Sequence, residues 1–182
     1  LVDRVRWIDT LPADKFRGVI LANELLDAMP ATLFRTTEGG VVERGVTDNG
    51  KEFVWGELPA SDILNRRVEA LQLDNDYVSE INFQAEAWVH SISDVLESGV
   101  VLLIDYGFSA REYYHPQRHM GTLMCHYRHR AHDNPLILIG LQDMTAHIDF
   151  TAMATAAVDG DMDVLGFTTQ AAFLMANGLE EL

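Results

Sequence analysis

Residues 18–30, GVILANELLDAMP, decide the fold. An unbroken apolar run from Val19 to Ala22 follows Gly18 and stops at Asn23 and Glu24, with Asp27 one helical turn further on. A strand with one wet face alternates apolar and polar residues, whereas a strand covered on both faces does not and is typically parallel and central. Gly18–Ala22 therefore predicts a central parallel strand, and NELLDAMP a short helical turn closed before Pro30. A second run of the same kind is VVLLIDYG, apolar from Val100 to Ile104 and then Asp105, Tyr106 and Gly107. Ligands of open α/β sheets sit in the crevice beyond the carboxyl ends of such strands. Asn23, Glu24 and Asp27 are thus expected to face a ligand cleft. The competing reading is that they cap the turn after the strand, a role for which Asn23 is well suited.

Outward from these strands, VRWI (5–8) alternates briefly and predicts a short strand. Residues 31–58 hold three β-prone runs broken by Glu-Gly-Gly and Asp-Asn-Gly. Asn49-Gly50 is a hairpin signal, because the tight turn needs positive φ. An antiparallel meander inserted at 31–58 follows. From residue 77 to 98 the period changes: Val78, Ile81, Ala85, Trp88, Ile92 and Val95 lie on one face of a helix. Asn75 or Asp76 is its expected cap and Gly99 its left-handed terminus. Beyond residue 108 the chain is loop-rich. A weak strand is expected within Gly121–Arg128, a helix over roughly 150–158, a short strand at MDVLGF, and a helix from Thr168 or Thr169 to Gly178. Residues 1–182 are expected to form a single α/β domain.

The chain carries 28 acidic and 13 basic residues, a net charge of −15, which argues against binding to nucleic acid or an anionic membrane. No apolar stretch reaches the ~20 residues of a membrane span. Cys125 is the only cysteine, so an intrachain disulfide is excluded and a reducing compartment fits. The chain starts without Met or a signal-peptide layout and stops just after a helix; it is expected to be an internal piece of something longer.

Six of the seven histidines fall between His115 and His147, but without His-Glu-x-x-His or paired cysteines, so no metal centre is expected. His147-x-Asp149 fits a metal pair, a base with its orienter, or a helix cap at Asp149, the cap being the commonest role. Arg111, Arg118, Arg128 and Arg130 form the one basic concentration and are expected to meet carboxylates, with a substrate anion site as the alternative. There is no G-x-S-x-G for a serine hydrolase and no glycine-rich phosphate loop.

The ordered segments ILANELLDAMP, LLIDYG, YHPQRHMGTLMCHYRHR, NPL with QDMTAHIDF, and GFTTQAAFLMANG resemble the MidA-like family of S-adenosylmethionine-dependent methyltransferases over nearly the whole chain. That family includes the mitochondrial complex I assembly protein arginine methyltransferase. The resemblance implies part of a class I, Rossmann-like methyltransferase fold, with VRWI, GVILA and VVLLID as third to fifth strands. It implies S-adenosylmethionine as cofactor, its glycine-rich loop lying upstream of Leu1. It places Asp9 at the adenine pocket and Asn23 at the methyl donor. It makes Glu24 the first and Asp27 the second candidate for gripping an acceptor guanidinium, Tyr106 and Asp149 acceptor-side residues, and His147 a proton acceptor. The implied partner is a protein with an exposed arginine, in a bacterial cytoplasm or the mitochondrial matrix, with respiratory complex assembly as the process and a homodimer as a compatible state. The rival readings are a noncatalytic assembly protein that keeps the fold, and a metal-dependent hydrolase using the histidines.

Overall fold

The computed structural model describes residues 4–179. Strand β1 (Phe16–Asn23) pairs in parallel with β6 (Leu96–Ile104), Asn23 standing opposite Ile104. Both apolar runs are thus adjacent parallel strands. Gly18 faces Gly99 across this pair, and a Cβ on Gly99 would overlap the Gly18 carbonyl. Gly99 therefore serves close strand approach, not the helix terminus expected of it. Among the described residues β1 pairs with β6 alone. Val19 and Leu21 remain 72% and 64% exposed, so the expected two-sided covering is met on one face.

The inserted meander forms as expected, as β2 (Thr32–Thr37), β3 (Gly40–Asp48) and β4 (Phe53–Pro59). Gly50, at φ 85°, turns the second hairpin. The sheet has a fourth strand, β5 (Val78–Ile81), giving the order β4-β3-β2-β5. Between β4 and β5 lies α1 (Asp62–Glu69), unforeseen, capped by Ser61, which accepts a bond from the Leu64 amide.

The long helix is shorter than its period suggested. Val78 to Ile81 are all buried, and their backbone pairs with β2, so they form a strand. Helix α2 starts after it (Phe83–Val95), capped by Asn82 rather than Asn75 or Asp76. Its buried Ala85 and Val89 pack with Ala152, Met153 and Ala156 of α4 (Phe150–Asp159), around Leu26 and Ile148, and Ile92 is buried on the same helix. A second core gathers Phe34, Leu64, Val68, Tyr77, Ile81, Tyr113 and Tyr114 between the meander sheet, α1 and the short α3 (Ala110–Tyr113).

Two small sheets complete the site's surroundings. Strand β7 (Gly107–Phe108) pairs in parallel with β11 (Ile148–Asp149). Strands β8 (Met124–Tyr127), β9 (Arg130–His132) and β10 (Asp143–Thr145) form an antiparallel sheet in the order β10-β8-β9. Arg128 and His129, both at positive φ, make the two-residue turn between β8 and β9. The helix near the carboxyl end is α5 (Gln170–Ala176), capped by Thr169.

Two expected elements, both strands, are absent among the described residues. VRWI is unpaired and Trp7 is 92% exposed. MDVLGF forms no strand, its Val164, Leu165 and Phe167 lying exposed. NELLDAMP is a single turn, Met29 N–H donating to the Leu26 carbonyl, because Asp105 takes the Leu26 and Asp27 amides. Asn23 is accordingly the last residue of a strand and caps no helix. No helix among the described residues is long and apolar enough to cross a membrane.

Asn82 joins the two sheets. Its Oδ1 accepts from the Ala85 amide (2.9 Å), while its Nδ2 donates to the carbonyls of Leu26 (3.1 Å) and Met29 (3.3 Å). Asn82→Ala is expected to lower stability by about 2 kcal/mol, from the lost cap and the two orphaned carbonyls. Asn82→Asp, which keeps the cap acceptor and loses both donors, should lose about half as much. Urea unfolding checks both, and a fully stable Asn82→Ala would remove the bridge from the account.

Candidate active site

The site begins where β1 ends. The Glu24 amide donates to the Ile104 carbonyl (2.8 Å), carrying the ladder one residue past the strand. Glu24 itself sits at φ 48°, the left-handed region, which turns the chain sharply away from the strand direction. From the neighbouring tip, Asp105 holds the turn. Its Oδ2 accepts from the amides of Leu26 (3.0 Å) and Asp27 (3.3 Å), and its Oδ1 from that of Tyr106 (2.8 Å). The Tyr106 hydroxyl then donates to Glu24 Oε1 at 3.1 Å, on the exposed rim. Bonding to the Glu24 carboxylate raises the Tyr106 phenol's pKa, so the hydroxyl keeps the proton it donates.

Asp27 lies just behind, 8% exposed. Burial raises its pKa most, followed by the nearby Asp105 charge, with a smaller push from Glu24. Three carboxylates thus share one corner. Among the described residues no group of three or more His, Cys, Asp or Glu is disposed to hold a metal ion.

The other expected residues lie at varying removes. His147 precedes β11, whose Ile148 amide donates to the Tyr106 carbonyl (2.8 Å). Its ring stacks on Phe108 with centroids 5.3 Å apart, and the Arg118 guanidinium lies 3.9 Å from the Phe108 ring centre. Burial and then Arg118 lower the His147 pKa, favouring the neutral imidazole. Asp149 caps α4, accepting from the amides of Thr151 (2.9 Å) and Ala152 (3.2 Å). Asn23 is exposed beside Glu24. Asp9 is exposed in a loop, and no hydrogen bond or ion pair among the described residues ties it to this corner. Of the arginine group, Arg118 meets a carboxylate, Glu112, at 4.0 Å.

Two residues central to the geometry were not singled out from the sequence. Asp105 was visible only as a strand end, although an acid directly after a buried parallel strand is a signal of its own. Glu80 was hidden within the helical period. It is 2% exposed, and its Oε1 accepts from Tyr113 Oη (2.7 Å) and the Thr122 amide (2.9 Å) and hydroxyl (2.5 Å). Burial pushes its pKa up, against the pull of those donors. Beside it is a small, partly enclosed cavity of about 10 Å³, lined by Asn82, Tyr114 and Asp149 among others.

Comparison with known proteins places the chain. Residues 1–168 match the family model described as "Putative S-adenosyl-L-methionine-dependent methyltransferase". Over 174 residues the chain is 30% identical to the mitochondrial protein arginine methyltransferase NDUFAF7 of Danio rerio, a match covering 90% of this chain and 37% of that protein. A Burkholderia thailandensis protein, solved with S-adenosyl-homocysteine bound, superposes with TM-score 0.93 at 45% identity, covering 100% of this chain and 47% of that one. A second, native structure of a Burkholderia thailandensis protein gives TM-score 0.94 at 45% identity, covering 98% of this chain and 48% of that one. The chain thus spans about half the length of the solved relatives and 37% of the curated one.

The buried Glu80 makes stability depend on pH in a defined direction. A carboxyl with a raised folded-state pKa stabilises most fully below its unfolded value of about 4.3, and the contribution is lost as pH rises through the folded value. Glu80→Gln removes that loss while keeping an acceptor oxygen. Relative to the parent, the variant should gain stability as pH rises from 5 to 8, measured by urea unfolding. Parallel profiles for the two proteins would show that Glu80 ionises as an ordinary carboxyl.

Proposed function

The chain belongs to the MidA-like family of S-adenosylmethionine-dependent methyltransferases, and on that premise we propose that it forms the acceptor side of a protein arginine N-methyltransferase site. The observation that carries this reading is Glu24, aimed from the end of β1 at an open rim and steadied by Tyr106 from the end of β6. Arginine as acceptor is supported by the Danio rerio relative, a mitochondrial protein arginine methyltransferase; from the family resemblance, a respiratory-complex protein is the substrate class we favour.

The residues fit both cations that such a reaction brings together. A sulfonium and a guanidinium are each positive, and Glu24, Asp27 and Asp105 offer a negative corner to which no lysine or arginine is paired among the described residues. S-adenosylmethionine, when bound, supplies the activated methyl group. The chain's own residues do the rest. Glu24 accepts the guanidinium N–H groups in a charge-assisted pair and draws the positive charge onto the nitrogens it holds, leaving the remaining nitrogen freer to attack the methyl group. Tyr106 fixes the Glu24 rotamer, so less orientation is lost when the acceptor arrives. Asp27, behind Glu24, adds negative potential. The proton released from the acceptor nitrogen passes to a base, for which His147 is suited by its neutral imidazole.

Glu24→Gln in the full-length protein should lower methyl transfer to arginine peptides by about 100-fold or more, through loss of the charged partner. Calorimetry with S-adenosyl-homocysteine should find cofactor affinity changed by no more than about twofold. Tyr106→Phe should cost less, about tenfold in kcat, since one hydrogen bond is lost and the carboxylate remains. Undiminished turnover by Glu24→Gln would remove that residue from the acceptor role.

A further inference from the structure

Glu80 makes no ion pair among the described residues, yet it is held among donors on one oxygen. Gly121 permits this. At φ 77°, it lies so close that a Cβ would overlap Glu80 Oε2. The carboxyl orients what surrounds it. Because the Thr122 hydroxyl donates to Glu80, its oxygen is left as an acceptor, and the His147 amide donates to it at 2.9 Å. The Tyr113 hydroxyl, which donates to Glu80, also lies 3.1 Å from the His147 carbonyl. Burial keeps that phenol protonated. The His147 amide is therefore held by the Glu80 network, and its carbonyl shares the single Tyr113 proton with Glu80.

Residues 146–148 then reach the candidate site directly. The Ala146 amide donates to the Asp27 carbonyl (3.0 Å), and the Ile148 amide to the Tyr106 carbonyl (2.8 Å). Three consecutive amides thus bond, in turn, the Asp27 turn, the Glu80 network and the Tyr106 strand end.

We propose that Glu80 is a positioning residue: through Thr122 and Tyr113 it fixes the His147 backbone, and through that backbone the placement of Tyr106 and Asp27 beside Glu24. The proposal rests on the reading of Glu24 as the acceptor's carboxylate. It assigns a buried acid on the inserted sheet to the alignment of a site at the ends of the parallel strands.

The test uses the full-length protein with three substitutions. Thr122→Val removes the hydroxyl at nearly constant shape, Thr122→Ser keeps it, and Tyr113→Phe removes the other arm. Hydrogen–deuterium exchange is followed over residues 146–149, and methyl transfer is resolved into kcat and KM. Thr122→Val and Tyr113→Phe should each speed exchange in that segment and lower kcat about tenfold with KM for S-adenosylmethionine unchanged, the signature of lost alignment. Thr122→Ser should restore both. Wild-type exchange in both disrupted variants, or faster exchange with undiminished kcat, overturns the proposal. Should Thr122→Val not fold, Tyr113→Phe decides alone. If the parent protein transfers no methyl group, the functional reading fails. The proposal's alignment role falls with it, while the exchange measurement still judges the network that holds residues 146–149.

Discussion

The parallel register of β1 on β6 is the constraint on which the rest depends. Two antiparallel strands would finish at opposite edges of the sheet. These two finish together, Asn23 opposite Ile104, so residues 24 and 105 start from the same edge. Tight pairing is made possible near their starts by Gly99, which lets the two backbones approach where its own Cβ would overlap the Gly18 carbonyl. At their ends the ladder runs one bond further, through the Glu24 amide. The same bond sets Glu24 in its left-handed turn and within reach of the Tyr106 hydroxyl.

Grouping carboxylates is unfavourable by itself, and the corner offsets this in two ways. Asp105 accepts three backbone amides, so its negative charge also secures the turn. Asp27, less exposed and without that number of donors, responds instead by holding its proton more tightly. A cation arriving at the rim would relieve the repulsion from Asp105 and Glu24 that adds to burial in raising the Asp27 pKa. The strain of assembling the site thus has the sign that favours a positively charged occupant.

The parts of this arrangement legible in the sequence were those with a one-to-one physical signal. GVILA and VVLLI gave no alternation, and both became parallel strands. Asn49-Gly50 marked a turn, and Asp149 and Thr169 became caps as their types suggest. The failures have equally local causes. Val78 and Ile81 continue the spacing of Ala85 and Trp88, so periodicity alone merged a strand with a helix. The strand was set by pairing with β2, which spacing cannot express. The short α1 did carry a signal, Ser61 followed by Leu64 and Val68 on one face, but it lay between more prominent patterns. VRWI and MDVLGF had suitable composition and no strand to pair with among the described residues. Glu80 was obscured because a carboxyl in a strand ordinarily faces water. Its burial follows from Thr122 and Tyr113, which lie more than thirty residues away.

The inserted sheet consequently does more than decorate the parallel pair. Its last strand, β5, ends in Glu80 and Ile81, and the next residue is Asn82. Glu80 reaches residues 146–148 from one side, through Thr122 and Tyr113, and those residues hold both Asp27 and Tyr106. Asn82 reaches the same turn from the other side, at the carbonyls of Leu26 and Met29, while capping α2. A segment of three residues thus bears on both halves of the acidic corner by separate routes. Displacing β5 would loosen the turn after β1 and the backbone beside Tyr106 together. That gives a physical reason for the carboxyl and the amide to stand so close in the chain, since the corner they support must move as one piece or not at all.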